Sequence, residues 1–374
     1  MRNEWPRISL RETIMQEGLQ IERVGIPTKD KVRLLNSLST TGLTNIVVGA
    51  FVSPKWVPQM ADTEDVVRAF TPRAGVTYTA LYLNKRGLEK ARQLSPPLSR
   101  DNDQIVRLYG HLCDVFLRRN ENRGQESEFA GWSETVEEAV RAGIKESGIG
   151  IGAAWGSNFL GEFNLQQRMN VLMQQAQLLC DAQIRIVECT LTDSMSFATP
   201  WAVEETLVTI KEKWPSITRV NLHLHDARNM AMASIYAALR ILDNTCSVQL
   251  DCAVGGLGGC PFGGNGQATG LPPTEDLVHM LEGLGIQTGV DLDRVIECAW
   301  IAEEIIGRPP FGRVSKAGPR PLKSDHWYDP NLPFIETLEE AKHFRNGPSA
   351  YSKCRTPYRV PVRSSVLDQL KGMP

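Results

Sequence analysis

His223 and His225, one residue apart and followed at once by Asp226, are the side chains whose spacing most directly implies chemistry. In a β-strand, residues i and i+2 point to the same face about 6.6 Å apart, so two imidazoles can converge on one divalent cation. Further along comes the run Gly255-Gly256-Leu257-Gly258-Gly259-Cys260-Pro261, which carries a single thiol. It is no dinucleotide fingerprint, because no G-x-G-x-x-G opens a helix at its end. Pair and run together read as half of a metal site beside a catalytic loop that acts as a mobile lid.

The elements that must position these residues alternate. Short apolar β-type runs at Ile8 to Met15, Asn45 to Phe51, Val76 to Leu83, Ile105 to Tyr109, Gly148 to Ala154, Ile184 to Leu191, Arg219 to His225 and Ser247 to Val254 are separated by amphipathic stretches. The clearest of those are Lys29 to Ser39, Asn84 to Leu94, Thr135 to Glu146, Leu165 to Leu179, Ala202 to Lys213 and Ala227 to Leu242, with Thr274 to Leu284 and Leu292 to Ile306 closing the ring. Such alternation predicts parallel βα units, and their number predicts an α/β fold, a (β/α)8 TIM barrel over residues 1–307. Residues 118–132 are polar and charged and read as an insertion or long loop. Residues 308–374, rich in Pro, Arg and aromatics, read as a C-terminal extension that packs on the barrel or on a neighbouring subunit.

Composition narrows the partners. With 374 residues, 22% charged, 42% hydrophobic and a formal net charge of −2, the chain has ample core and no dominant charge. A nucleic-acid or anionic-membrane surface is therefore not expected, and a small-molecule substrate is. The start, Met1-Arg2-Asn3-Glu4-Trp5-Pro6-Arg7, has charges where a secretory signal needs an apolar run, and no stretch reaches the roughly 20 apolar residues of a membrane span. The eight cysteines are scattered and lack C-x-x-C spacing, as expected of reduced thiols in a cytoplasmic protein.

In a (β/α)8 barrel, chemistry sits at the carboxyl ends of the strands. There fall Glu17 after strand one, Asp193 after strand six, His223 and His225 ending strand seven, and Cys260 after strand eight. One carboxylate and two imidazoles suit Mg²⁺ or Mn²⁺, with Zn²⁺ a third option, and leave positions open for substrate.

Four stretches carry a resemblance: Glu17-Gly18-Leu19-Gln20; Phe51 to Asp62, reading FVSPKWVPQMAD; His223-Leu224-His225-Asp226; and Val254 to Phe262 followed by Thr274 to Ile286. In these the chain resembles the 3-hydroxy-3-methylglutaryl-CoA lyase family, within the wider group of metal-dependent aldolase and Claisen barrels. The resemblance runs from about residue 8 to residue 306 and is interrupted in the middle. It implies a divalent cation chelating a substrate's carboxylate and 3-hydroxyl, abstraction of the hydroxyl proton, cleavage of the adjacent carbon–carbon bond, and protonation of a thioester enolate. It implies Glu17, His223 and His225 as metal ligands, Cys260 as the thiol of the acid step, and Asp193, Gln16 and Gln20 as catalytic neighbours. Ser53 and Lys55 become candidate substrate contacts, Lys55 through the phosphates of a CoA arm, and a homo-oligomer becomes the expected assembly.

The departures from the family pattern matter as much. Gln16 stands where the family has an arginine before the metal-ligand aspartate, which is here Glu17, and Val47 stands where it has a glutamate. Leu271-Pro272-Pro273 fills the stretch that holds the family's metal-shell asparagine, and Asn265 is the replacement that the longer loop offers. Arginine presents a fixed cationic fork and glutamine a neutral donor, and a weakened oxyanion donor costs on the order of a hundredfold in rate. Arg11 does not fill the gap if the strand runs on, since extended residues would hold it about 20 Å from Glu17. The reading is a metal-dependent carbon–carbon lyase acting on a non-standard 3-hydroxy acid or its CoA thioester. The alternatives are a condensing acyltransferase like isopropylmalate or citramalate synthase, and a non-catalytic ligand-binding barrel.

Overall fold

The computed structural model of the protein describes residues 5–100, 104–264 and 270–321. The chain forms two compact units, residues 1–311 and 312–374. In the second, the described part holds one short helix, Val314–Ala317, and residues 322–374 of the extension expected from residue 308 lie outside the described residues.

The first unit is the barrel. Its strands are β1 (Arg7–Glu12), β2 (Asn45–Phe51), β3 (Thr77–Tyr82), β4 (Val106–His111), β5 (Glu146–Gly152), β6 (Arg185–Asp193), β7 (Arg219–Leu224) and β8 (Ser247–Cys252). They make one eight-stranded sheet in the order β3-β2-β1-β8-β7-β6-β5-β4, the order of a ring read outward from a seam between β3 and β4. All of its ladders are parallel. The helices between strands are α1 (Thr28–Leu38), α2 (Thr63–Ala69), α3 (Lys85–Gln93), α4 (Asp114–Glu121), α5 (Gln125–Arg141), α6 (Leu165–Asp181), α7 (Pro200–Lys213) and α8 (Ala231–Ile241), followed by α9 (Thr274–Gly283) and α10 (Leu292–Ile306). Among the described residues no helix is long and apolar enough to cross a membrane.

Two expectations change. Residues 118–132 are the end of α4 and the start of α5 rather than a loop. Their polarity is that of a solvated helix face, and Asn122, in the left-handed region at φ 56°, makes the break between the two helices. Strand one stops at Glu12 rather than Met15, because Ile14–Gly18 winds into a π-helical turn.

The apolar core lies between the sheet and its helices. Outward-facing Leu108, Ile149, Ile151, Leu191, Leu222, Val248 and Leu250 are each at most 1% exposed and belong to one cluster with the helix side chains. The inner row of the strands is polar instead. Arg107 on β4 reaches across β5 to Glu188 on β6, Nε to Oε1 at 2.6 Å, Tyr109 hydrogen-bonds Thr192, and Asn221 Nδ2 donates to Thr190 at 3.1 Å. These crossings exist because β5 presents glycine inward at 148, 150 and 152. A Cβ on Gly150 would stand 2.7 Å from the Tyr109 ring and 3.1 Å from the Thr190 carbonyl. Replacing Gly150 with Val should therefore lower the chemical-denaturation stability by about 1–3 kcal/mol through overpacking; an unchanged midpoint would show that the inner row has room the geometry denies.

Candidate metal centre

The turn after β1 is organised by a carboxylate that nothing in the sequence marks. Glu12 is fully buried; its Oε1 accepts from the Ile14 N–H at 2.8 Å and the Val254 N–H at 3.1 Å, and its Oε2 from the Thr274 hydroxyl at 2.5 Å. It thereby joins the π-helical turn that carries Glu17, the start of the glycine-rich loop and the first turn of α9. Burial pushes Glu12 up to about 7 against these bonds.

The glycine-rich loop then closes on the same turn. Gly258 has φ +107°, and a Cβ there would lie 2.4 Å from the Glu17 carbonyl oxygen; only glycine permits that approach. Cys260 follows it into a half-buried position, where burial and the charge of Glu17 push its thiol up to about 12. It is thus a protonated acid at neutral pH. The loop is also held from outside, by Arg119 Nε donating to the Phe262 carbonyl at 3.2 Å and Asn158 Nδ2 donating to the Gly263 carbonyl at 2.7 Å.

Glu17, His223 and His225 converge. Each offers one ligand atom, all lying within 4.8 Å of one another. The two Nε2 atoms of the histidines are 3.1 Å apart, and His225 Nε2 is 3.4 Å from Glu17 Oε1. Glu17 Oε2 accepts from Gln20 Nε2 at 2.8 Å and Gln16 Nε2 at 3.4 Å, while Oε1 is buried with no hydrogen-bond partner. Burial raises the Glu17 carboxyl; burial and then His223 lower His225 well below the usual imidazole range. A buried acceptor with no donor, facing two imidazole nitrogens, is the donor set that a divalent ion satisfies, so these residues fit the cation that the family implies.

Behind His223 stands a second layer. Its Nδ1 is 2.7 Å from Asp251 Oδ2, and Asp251 is gripped by Arg11, Nε to Oδ1 at 2.7 Å and Nη2 to Oδ2 at 2.5 Å. Burial alone would raise the Asp251 carboxyl; Arg11 and His223 outweigh it and hold it at about 2. Arg11 is therefore one carboxylate away from the His223 imidazole, not remote, because β1 ends and turns before Glu17. Its signal was a charge on the inner face of a strand, as was that of Asp251.

Asp193 neighbours the histidine strand, its carbonyl accepting from the His225 N–H at 3.1 Å. It shares the outward parity of Cys189 and Leu191, and its carboxylate accepts from the Phe197 and Ala198 N–H groups at 3.0 and 2.6 Å, organising the turn into α7. Ser53 and Lys55 are exposed on the loop after β2, Lys55 Nζ lying 5.1 Å from the Trp56 ring centroid. Asn265 lies outside the described residues. A second group, His111, Glu121 and Glu128, has its cation supplied by Arg123, whose Nη2 reaches Glu121 at 2.7 Å and Glu128 at 3.3 Å.

A (β/α)8 barrel with one carboxylate and two imidazoles gathered at the carboxyl ends of its strands defines a metal-dependent enzyme class. A family model described as HMGL-like matches residues 7–301. The chain is 32% identical over 311 residues to the mitochondrial hydroxymethylglutaryl-CoA lyase of Mus musculus, covering 83% of this chain and 89% of that protein. It is also 32% identical over 311 residues to the 3-hydroxy-3-isohexenylglutaryl-CoA/hydroxy-methylglutaryl-CoA lyase of Pseudomonas aeruginosa, covering 83% and 97%. An HMG-CoA lyase from Acinetobacter baumannii, solved in complex with coenzyme A and 3-methylmalate, matches with a TM-score of 0.69 at 28% identity, covering 85% of this chain and 97% of that one. The chain belongs to the HMGL-like family and is an enzyme of the metal-dependent carbon–carbon lyase type.

The Glu12 carboxyl sits above its unfolded value of 4.5, at about 7, so the folded state holds the proton more tightly. Its stabilising contribution is present below pH 4.5 and fades as pH rises through 7, by about 3 kcal/mol. Urea unfolding across that window should lose this slope in Glu12→Gln; an identical slope in the variant would assign it to other groups.

Proposed function

We propose that the protein cleaves a carbon–carbon bond in the CoA thioester of a 3-hydroxy acid other than the usual 3-hydroxy-3-methylglutaryl group. The observation that carries this reading is the convergence of Glu17, His223 and His225, with the charge of Glu17 felt by the Cys260 thiol of the glycine loop. Glu17 through Oε1 and the two histidines through Nε2 would hold Mg²⁺ or Mn²⁺, with Zn²⁺ a third option. Bound there, the ion supplies a Lewis acid that orients a carboxylate and 3-hydroxyl and stabilises an alkoxide.

The chain's own groups do the rest. Gln20 and Gln16 hold Glu17 by Oε2, which leaves Oε1 without a protein donor. Gln16 Nε2 also donates to Gln20 Oε1 at 3.0 Å, so it acts within this amide network as a neutral group. The Cys260 thiol, held protonated, is poised to deliver a proton to the enolate carbon. A neutral residue at 16 and Val at 47 leave an enolate cradle unlike that of the family, which supports a different acyl group. The relatives' names, with hydroxymethylglutaryl-CoA and an isohexenyl analogue among them, and a relative's complex with coenzyme A, support a CoA thioester as the form bound.

The test is mass-spectrometric detection of products from a panel of 3-hydroxyacyl-CoA esters and free 3-hydroxy diacids, with Mg²⁺ or Mn²⁺ and with chelator. Cleavage of a CoA ester that stops with chelator is expected. Release of free CoA only when a 2-oxo acid is supplied would replace the lyase by a condensing enzyme. His223→Ala should retain the circular dichroism of the barrel and lose metal retention; unchanged metal content would remove His223 from the ligand set.

A further inference from the structure

The neutral Gln16 leaves open where the positive charge of this centre resides. Arg11 lies on the inner row of β1, with its side chain 37% exposed against an Asp251 side chain that is 2% exposed. Its fork is bidentate on Asp251, and the carboxylate oxygen that accepts from Nη2 is also the one 2.7 Å from His223 Nδ1. Arg11 and Asp251 are paired in register between β1 and β8, so the grip is built into the sheet and does not depend on a loop.

We propose that Arg11 is a positioning residue for the metal centre: it locks the Asp251 carboxylate in the one orientation that takes the Nδ1 proton of His223 and leaves the His223 Nε2 lone pair facing Glu17 and His225. The proposal rests on the reading of Glu17, His223 and His225 as the ligand set. An imidazole can present either nitrogen, and the tautomer is chosen by the partner of the other one. Asp251 alone, one rotatable carboxylate on a strand, would share its lone pairs among rotamers. With both oxygens engaged by a planar guanidinium, it has a fixed plane and a fixed acceptor direction. Lysine at position 11 would keep the charge and lose the fork, which separates orientation from simple charge balance.

The test uses the full chain, stripped with chelator and titrated with Mn²⁺ while the free ion is followed by electron paramagnetic resonance. The ¹⁵N shifts of His223 report its tautomer independently of any turnover. Arg11→Met should weaken Mn²⁺ binding about tenfold to a hundredfold and move His223 toward a mixture of tautomers, with Arg11→Lys in between. If Arg11→Met does not fold, Arg11→Lys carries the decision through the same two readouts. Folded variants that bind Mn²⁺ as tightly as the starting protein and keep the His223 tautomer would overturn the proposal. Failure of the starting protein to bind Mn²⁺ at all would instead overturn the ligand set, and a binding centre without lyase turnover would overturn only the proposed reaction.

Discussion

The centre exists because one buried carboxylate draws three distant segments to a point. Glu12 accepts from the turn after β1, from the backbone that opens the glycine loop, and from the hydroxyl that starts α9. The first is separated from the other two by most of the chain, and barrel closure brings them near without setting their final ångströms. A carboxylate with two oxygens and three donors does that, and the burial that makes it costly also makes it directional, since no water competes for its lone pairs. The close approach of Gly258 to the Glu17 carbonyl lies at this junction.

A second arrangement of the same kind serves the imidazoles. Asp251 is fully engaged by Arg11 and His223, whereas Glu17 keeps one oxygen unengaged. Two buried carboxylates are therefore treated oppositely, one satisfied by protein and one left with an oxygen that no protein donor reaches. This asymmetry, more than the presence of histidines, distinguishes a metal centre from a structural polar cluster. The His111 group shows the contrast, because there Arg123 occupies the cation's place.

The barrel was legible because its strands are short apolar runs between amphipathic stretches, and the convergence of His223 and His225 was legible because i and i+2 spacing survives any detail of packing. What escaped the sequence depended on where extended backbone stops. Reading β1 on to Met15 put Arg11 far from Glu17; the π-helical turn at Ile14–Gly18 reverses that. The turn bonds of Asp193 escaped the sequence too, since strand parity directs its carboxylate to the N–H groups of Phe197 and Ala198. The polar stretch 118–132 looked like a loop because a solvated helix face and a loop have similar composition. Glu12 gave no signal, since one acidic residue near a strand end is unremarkable until its three donors are in place.

The inward glycines of β5 have a consequence for how this barrel can change. Its apolar layer lies outside the strands, and the interior carries ion pairs, hydroxyls and amides whose crossings need only the absence of side chains at 148, 150 and 152. Exchanging one inner polar group for another leaves the outer layer untouched, so the cohesion of the molecule and the chemistry of its lumen are inherited separately. A lineage built this way can explore new acyl groups through interior substitutions while its folding cooperativity stays with the shell.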